Sequence, residues 1–310
     1  MKRISIITPC YNEEDNVQDV YNQVKEVMGS LVEYTYEHIF IDNCSTDHTV
    51  SILRSIAERD RNVKVIVNAR NFGHIRSPYH AILQATGDAV ISIVADLQDP
   101  PHLIRDFIAK WEQGYKVVIG VKNKSEESWL FFNLRKLYYK LLRRLSDIDL
   151  VENFTGFGLY DRQVIDTLKC IDDPYPYFRG LIAEIGFERA AIDYVQPVRK
   201  KGRTKNNFYT LFDMALLGMT NHSKVPLRIA TLAGFISAGL SFLVGLSYFV
   251  YKLLFWSSFT VGIAPVVVGL FFFSSVQLFF LGIAGEYIGS IYTQVRKRPL
   301  VVEKERINFQ

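Results

Sequence analysis

The first two thirds of the chain alternate between short apolar runs and segments with helical spacing. Five runs have the length and β-branched content of buried strands: RISIIT, YEHIFID, VKVIVN, AVISIVA and KVVIG. Between them, apolar residues recur three or four positions apart, as at Val17, Val20, Val24 and Val27. This alternation predicts an α/β fold with a mostly parallel sheet covered by helices.

Polar residues follow the predicted strands at the points where the strands end. The segments are TPCYNEE, IDNCSTD, NARNFGH and VADLQD, and they place Asp42 and Asp96 after the second and fourth strands. Ligands of open parallel sheets bind outside the carboxyl ends of the strands. We therefore expect a nucleotide site at this edge of the sheet.

The last third of the chain has a different pattern. No charged residue occurs from Ile229 to Tyr251 or from Leu253 to Gly285. About 20 apolar residues in a helix cross the hydrocarbon core of a bilayer, so residues 226–292 are predicted to form two transmembrane helices with a turn near 256–262. Buried core helices are the alternative, but uncharged runs of this length are rare in soluble folds.

The distribution of cations predicts how this hairpin is oriented. Lys224 and Arg228 precede the first run, Arg296–Arg298 follow the second, and Lys252 lies near the connecting turn. By the positive-inside rule both termini are expected in the cytoplasm, giving a multi-pass protein of the cell inner membrane. The N-terminus lacks the long apolar centre of a signal peptide. The three cysteines match neither a disulfide framework nor a metal-binding spacing.

These patterns divide the chain into four parts. Residues 1–205 are predicted to form a cytoplasmic catalytic domain. Residues 206–225 have their apolar positions on one side, which predicts an amphipathic helix in the membrane interface. The hairpin follows, and residues 293–310 are expected to form a basic cytoplasmic tail.

The segment VADLQDPP offers the ligands of a divalent cation. Mg²⁺ and Mn²⁺ prefer oxygen ligands, which Asp96 and Gln98 can supply, with Asp99 as a further candidate. The alternative is that Asp96 and Asp99 cap the helix that begins near Pro100. Spacing alone leaves both interpretations open.

A second candidate is the basic segment VRKKGRTK, which ends at Lys205. Its glycine and threonine among cations favour a loop that folds around a phosphate, but a patch that binds anionic lipids has the same composition. His74 is expected to be structural. The sequence has no Walker A motif, no G-x-G-x-x-G and no Ser-His-Asp or Cys-His arrangement that we can place.

Taken in order, ITPCYNEEDNV, IDNCSTDHT, RNFGH, GDAVISIVADLQDPP, YFRGL and VRKKGRTK, followed by two spans, resemble the polyprenyl-phosphate glycosyltransferases. These are inverting family 2 enzymes of the GT-A fold, and they include dolichyl-phosphate mannose synthase and the bacterial undecaprenyl-phosphate glucosyltransferases. The resemblance covers nearly the whole chain. It implies transfer of a hexose from a nucleotide sugar, UDP-glucose by analogy with the bacterial members, to undecaprenyl phosphate.

The resemblance also implies roles for particular residues. The nucleotide sugar would be lined by Pro9, Tyr11, Glu13, Asp42 and Asp96, and Mg²⁺ or Mn²⁺ would be held by Asp96 and Gln98. Catalysis would rest on Asp96, Arg199 and Lys205. The acceptor phosphate would be bound by Lys122, Arg135, Arg179, Arg199, Thr204 and Lys205. Further expected partners are a flippase, a downstream glycosyltransferase of cell-surface polysaccharide and other copies of the chain, but no nucleic acid.

Four positions depart from the family's motifs. Val94 stands where many members have a second acid before Asp96, and Asn43 and Cys44 replace the second aspartate and the glycine of the family's DDG motif. Gly156 aligns with an aspartate that has been proposed as a base or acceptor-site acid, whereas Asp161 corresponds to a later, structural acid of the same motif. The resemblance therefore predicts a metal site with a single aspartate.

Two other functions are alternatives for this sequence. A processive polysaccharide synthase of the same fold usually carries a QxxRW-type motif and more spans, which this sequence lacks. A membrane scaffold without catalytic activity is supported only by the substituted acids.

Overall fold

In a computed structural model, we describe residues 1–124, 151, 153–197, 216–221, 223–255 and 263–309. Within these residues, eight strands form one sheet, and most of the helices cover it. The strands are β1 (Lys2–Cys10), β2 (Tyr34–Asp42), β3 (Val63–Asn68), β4 (Ala89–Ser92), β5 (Val117–Lys124), β6 (Phe154–Asp161), β7 (Arg189–Val195) and β8 (Glu303–Ile307). The helices are α1 (Val17–Gly29), α2 (Thr49–Arg59), α3 (Gly73–Gln84), α4 (Ile104–Glu112), α5 (Arg162–Ile171), α6 (Phe178–Glu184), α7 (Val225–Leu254) and α8 (Ile263–Val295).

The sheet has the strand order β7-β5-β6-β4-β1-β2-β3-β8. Strand β1 pairs in parallel with β2 on one side and with β4 on the other. The pairs β2–β3 and β5–β7 are also parallel, whereas β6 and β8 pair antiparallel with their neighbours. The predicted α/β fold with a mostly parallel sheet is therefore confirmed.

The two faces of the sheet bury separate apolar clusters. Helices α1, α2 and α4 pack on one face through residues such as Val20, Leu53 and Phe107. Helices α3 and α5 pack on the other face through residues such as Ile82 and Leu168. Strand residues alternate between the two clusters because successive side chains point to opposite faces. This core fixes the carboxyl ends of the strands, where the site lies.

Strand β6 lies between β4 and β5. It interrupts the parallel sheet that the predicted alternation of strands and helices would form. A Cβ on Gly158 would lie 2.4 Å from the carbonyl oxygen of Val118, so only glycine allows the two backbones to approach this closely. Because β6 is antiparallel to β4, its first residues lie at the carboxyl end of β4. The start of β6 therefore belongs to the site edge of the sheet.

Helices α7 and α8 are long and apolar enough to cross a membrane. Their large side chains, such as Phe235 and Phe271, are exposed along most of both helices. The 30 residues of α7 and the 33 of α8 correspond to about 45 and 50 Å. Both lengths exceed the hydrocarbon core of about 30 Å, so the helix ends would reach the headgroup region.

The segment after α8 contributes a strand to the sheet. Residues 303–307 form β8, which pairs with β3 and completes the sheet. The predicted tail 293–310 therefore includes a strand of the catalytic domain, and a boundary at residue 205 leaves this strand out. The predicted amphipathic helix 206–225 lies mostly outside the described residues. Within it, residues 216–221 are helical and Leu217 packs on Tyr177.

Glu37 forms a buried hydrogen-bond network inside the sheet. Its carboxylate accepts from the Ser5 hydroxyl at 2.5 Å, from Lys64 Nζ at 2.7 Å and from the Thr86 backbone N–H at 2.8 Å. Burial raises the pKa of Glu37, but the bonds from Lys64, Ser5 and Thr86 outweigh it and lower the pKa from 4.5 to about 2. The ionised carboxylate therefore stabilises the folded state.

We expect this stabilisation to disappear in acid. Because the pKa is lower in the folded than in the unfolded chain, the contribution is complete above about pH 4.5 and is lost as the pH falls towards 2. The shift corresponds to about 3 kcal/mol in the free energy of unfolding. Chemical unfolding in detergent between pH 6 and pH 2 should show a steeper loss for the native chain than for Glu37→Gln. Equal pH profiles would contradict this assignment.

Candidate active site

The candidate site is a crevice at the carboxyl ends of β1 and β4. The sheet reverses its strand order here, since β2 and β3 lie on one side of β1 and β4 lies on the other. Such switch points leave room for a ligand between the loops that follow the two strands. Pro9, Tyr11 and Glu13 are partly exposed at the end of β1, as expected of residues that line a ligand.

The loops after β1 and β2 are joined by hydrogen bonds. The Asn12 N–H donates to the Ser45 hydroxyl at 2.8 Å, and the Asn12 side-chain oxygen accepts from the Thr46 N–H at 2.8 Å. The Glu13 N–H donates to the Thr49 hydroxyl at 2.9 Å. Hydrogen bonds within the chain therefore hold one wall of the crevice in place.

Asp42 lies beneath this wall and is fully buried. Its carboxylate accepts from the Ser45 N–H at 2.9 Å and from the Ser45 hydroxyl. Burial raises the pKa of Asp42, while the bonds from Ser45 and the Cys44 N–H oppose the rise. Cys44 has a φ of 66°, a conformation that these bonds hold in place. Asp42 thus shapes the loop that forms this wall of the crevice.

Asn43 connects the second and third strand ends, a role that the sequence does not reveal. Its amide nitrogen donates to the Asn71 side chain at 2.9 Å and to the Gly73 carbonyl at 3.1 Å. Its oxygen accepts from the Phe72 N–H at 2.9 Å. An aspartate could not donate, so the exchange of the family's aspartate for Asn43 gives these loops two further hydrogen bonds.

The other wall of the crevice follows β4. The Ile93 N–H still donates to the Ile7 carbonyl at 2.9 Å, but the chain then turns, and Leu97 has a φ of 59°. Asp96 and Gln98 are partly exposed in this turn, and the Gln98 N–H donates to the Asp96 carboxylate at 3.1 Å. The turn therefore presents both predicted metal ligands at the crevice.

Asp99 is buried and is neither a helix cap nor an exposed ligand. It accepts from the Tyr194 hydroxyl at 3.0 Å and from the Val94 N–H at 3.4 Å. Burial raises the pKa of Asp99 to about 6, against the positive charge of Lys122 and the bond from Tyr194. The capping interpretation is wrong for Asp99, whose carboxylate joins the turn after β4 to β7. Sequence offered no signal for this contact, because Tyr194 is distant in the chain.

The side-chain oxygens of the crevice decide whether a divalent cation fits this site. Among the described residues, no group of three His, Cys, Asp or Glu side chains could hold a metal ion. A divalent cation at a nucleotide site usually keeps several waters and needs only one or two carboxylates besides the phosphates. Asp96 with Gln98 fits that pattern, but not a cage made only of protein ligands.

Two predicted acceptor-site cations lie near the β6 side of the crevice. Lys122 is opposite Tyr194 in the β5–β7 pairing, and its charge acts on Asp99. Arg179, on α6, donates to the Phe154 carbonyl at the start of β6 at 3.3 Å and lies 5.2 Å from the ring of Tyr177. The remaining predicted cations and Thr204 lie outside the described residues: Arg135, Arg199, Thr204 and Lys205.

Of the two aspartates that the family has in the β6 motif, this chain keeps only the later one, Asp161. Asp161 caps α5, accepting from the Gln163 N–H at 2.9 Å, and also accepts from the Trp111 indole at 2.7 Å. Its role is therefore structural. Gly156, where the family has its other aspartate, has a φ of 105°. L-residues rarely adopt this conformation, which costs about 1–2 kcal/mol for residues other than glycine.

We expect Gly156→Asp to lower the free energy of unfolding by about 1–2 kcal/mol and not to raise turnover. The new Cβ would meet the Phe178 ring at an ordinary 3.7 Å, so the cost comes from the backbone. Gly114→Asp is the matched control, since Gly114 has a φ of 102° and open space around it. Similar stability losses in both variants, measured by chemical unfolding, would confirm the strain. A faster Gly156→Asp enzyme would show that an acid is missing.

Known proteins resemble this chain over nearly all of its length. A mannosyltransferase from Pyrobaculum calidifontis, solved with GDP-Man and Mn²⁺, matches with a TM-score of 0.49 and 15% identity, covering 96% of this chain and 87% of that one. The bactoprenol glucosyl transferase of Shigella phage SfX is 33% identical, covering 98% of this chain and 99% of the relative. A prophage bactoprenol glucosyl transferase homolog of Escherichia coli K12 is 32% identical, covering 97% and 98%.

The family model for glycosyl transferase family 2 matches residues 5–169. This range holds most of β1, all of β2 to β6, and the crevice between β1 and β4. The α/β architecture is that of the GT-A fold expected from the sequence, and the chain is a glycosyltransferase. The match and the near full-length relatives show that this chain belongs to glycosyltransferase family 2.

Proposed function

We propose that this protein transfers glucose from UDP-glucose to undecaprenyl phosphate at the cytoplasmic face of the membrane. The observation that carries the proposal is a polar crevice joined to two membrane-length helices. The whole of this arrangement lies within the 98% of the chain that is similar to a bactoprenol glucosyl transferase. The product would be a lipid monophosphate sugar that later glycosylation can use.

The reaction exchanges one bond for another. An oxygen of the acceptor phosphate forms a bond to the anomeric carbon as the bond to the nucleoside diphosphate breaks on the opposite face, which inverts the configuration. The lipid phosphate is already anionic near neutral pH, so no base has to remove a proton. Catalysis then depends on positioning and on neutralising the leaving diphosphate. This chemistry does not require the aspartate that Gly156 replaces.

The β2 side of the crevice would bind the donor. Pro9, Tyr11 and Glu13 lie at its edge, and Asp42 holds the loop behind them through Ser45. Asp96 and Gln98 would hold Mg²⁺ or Mn²⁺, which would offset the charge that develops on the leaving diphosphate. A single carboxylate is sufficient if phosphate and water oxygens complete the coordination.

The β6 side would bind the acceptor phosphate. Arg179 is partly exposed, and the carbonyl of Phe154 orients its guanidinium towards the start of β6. Lys122 lies on the same side, with Arg135, Arg199, Thr204 and Lys205 as further proposed contacts outside the described residues. Arginine suits this role because its planar donors match phosphate oxygens.

The sheet topology supports a hairpin with both ends in the cytoplasm. Strands β1 to β7 precede α7, whereas β8 follows α8, yet all eight belong to one sheet. If α7 and α8 both cross the membrane, the chain must return to the side from which it left. By the positive-inside rule, the cations at Lys224 and Arg296–Arg298 support the cytoplasm as that side.

The proposal is tested with the purified full-length chain in liposomes. Labelled UDP-glucose, UDP-GlcNAc and GDP-mannose are each supplied with undecaprenyl or dolichyl phosphate, with Mg²⁺, Mn²⁺ or a chelator. We expect labelled lipid with UDP-glucose and undecaprenyl phosphate, and loss of the product with chelator. A preference for another donor would refute the sugar assignment, and no transfer from any of the three donors would refute the proposed transfer to a polyprenyl phosphate.

A further inference from the structure

The segment after α8 returns to the site edge of the sheet. Strand β8 is antiparallel to β3, with Val65 opposite Ile307 and Asn68 opposite Glu303. Because of this direction, β8 enters the sheet at the carboxyl end of β3. The chain that leaves α8 therefore meets the same edge that carries the candidate active site.

Side chains of α2 and α3 hold this segment in place. Arg54 and His80 contact Glu305 and Glu303 at 2.5 Å each. The Asn308 amide donates at 2.8 Å to two backbone carbonyls, those of Ala57 and Val63. Apolar residues of the same segment pack against the core: Leu300, Val301, Ile307 and Phe309. We call residues 299–309 the C-terminal clasp.

The first residues of the clasp contact the segment that follows β3. The Ala69 N–H donates to the Val302 carbonyl at 2.9 Å, and the Arg76 guanidinium donates to the Pro299 carbonyl. Ala69 and Arg76 flank the loop that the Asn43 side chain holds. The clasp is therefore connected through this loop to the wall of the crevice.

Chain length limits how far the clasp can lie from α8. Helix α8 ends at Val295, and Pro299 follows four residues later. A fully extended chain covers at most about 14 Å over four residues. Pro299 therefore lies within that distance of the helix end. Because Arg76 contacts Pro299, the site edge of the sheet lies close to the C-terminal end of α8.

We propose that the C-terminal clasp sets the height of the active site above the lipid surface. This inference rests on the proposed function, in which the acceptor phosphate stays at the headgroup depth. One attachment of the catalytic domain is the chain before α7, where Leu217 packs on Tyr177. A domain held at a single attachment can still tilt and rise above the lipid surface. A second attachment through the clasp restricts both motions, which keeps the anomeric carbon of the donor within reach of the lipid phosphate.

Lengthening the connection tests the proposal without removing the clasp contacts. A six-residue Gly-Ser segment is inserted between Arg298 and Pro299, and the control is the same insertion after Val32, an exposed residue between α1 and β2 at the opposite edge of the sheet. In liposomes the first insertion should raise KM for undecaprenyl phosphate about tenfold. KM for the nucleotide sugar, and turnover of a short water-soluble prenyl phosphate, should equal those of the native and control chains.

An unchanged KM for undecaprenyl phosphate in liposomes would overturn the proposal. An equal loss of activity towards the soluble prenyl phosphate would overturn it as well. Energy transfer from a genetically encoded fluorescent residue at Glu58, exposed on α2, to dyes on the lipid headgroups gives an independent readout. The insertion should increase this distance by about 10 Å, and an unchanged distance would also refute the proposal. The distance readout stays valid even if the native chain transfers no glucose, so failure of the proposed function is recognised separately.

Discussion

Replacing Asp96 with asparagine is expected to lower kcat about a hundredfold while the protein remains folded. Asp96 is the partly exposed carboxylate of the turn after β4, and Asp99 beside it is occupied by Tyr194. Without the Asp96 charge, a divalent cation at the diphosphate would lose its only predicted carboxylate ligand. A loss of about 3 kcal/mol in transition-state stabilisation corresponds to this factor. The measurement is steady-state transfer at saturating donor over a series of Mn²⁺ concentrations.

Asp106→Asn provides the matched control, since Asp106 is an exposed acid in the first turn of α4. It should leave kcat and the Mn²⁺ dependence unchanged. Full activity of Asp96→Asn at the native Mn²⁺ requirement would contradict the metal assignment.

Replacing Arg179 with methionine is expected to lower kcat/KM for the lipid acceptor about thirtyfold. The variant keeps much of the side-chain length but cannot donate to a phosphate, and a charge-assisted hydrogen bond contributes about 2 kcal/mol. Packing against Tyr177 should be largely retained, because methionine also contacts aromatic rings favourably. KM for the nucleotide sugar should not change. Initial rates with each substrate varied in turn separate the two effects.

Arg59→Met controls for the loss of a surface arginine, since Arg59 lies in the last turn of α2 and donates to the Ser55 carbonyl. This variant should behave as the native enzyme. If Arg179→Met raised KM for the donor instead, Arg179 would belong to the nucleotide side of the crevice.

Much of the sheet could be predicted from the sequence, because its central strands are buried on both faces. RISIIT and VKVIVN correspond to β1 and β3, and their apolar runs have few other stable placements. Strand β8 could not be found in this way. Its sequence EKERI is charged, as is common for a strand at the edge of a sheet. It pairs with β3, from which it is separated in the chain by both α7 and α8.

The candidate site also has parts that the sequence predicts and parts that it does not. Asp96 and Gln98 follow a buried strand, and the rule that ligands bind at strand ends was enough to predict their position. The turn at Leu97 was not predictable: β4 ends at Ser92, before Val94 and Asp96. The roles of Asn43 and Asp99 depend on partners in distant segments, which periodicity and spacing do not reveal.

The most direct test of the account is the chemical structure of the product lipid. Lipid recovered from a reaction with UDP-glucose and undecaprenyl phosphate is analysed by mass spectrometry and by proton and phosphorus NMR. We predict a single hexose on a monophosphate, with the anomeric configuration opposite to that of the donor. A diphosphate-linked sugar, or retention of the donor configuration, would contradict direct attack by the acceptor phosphate.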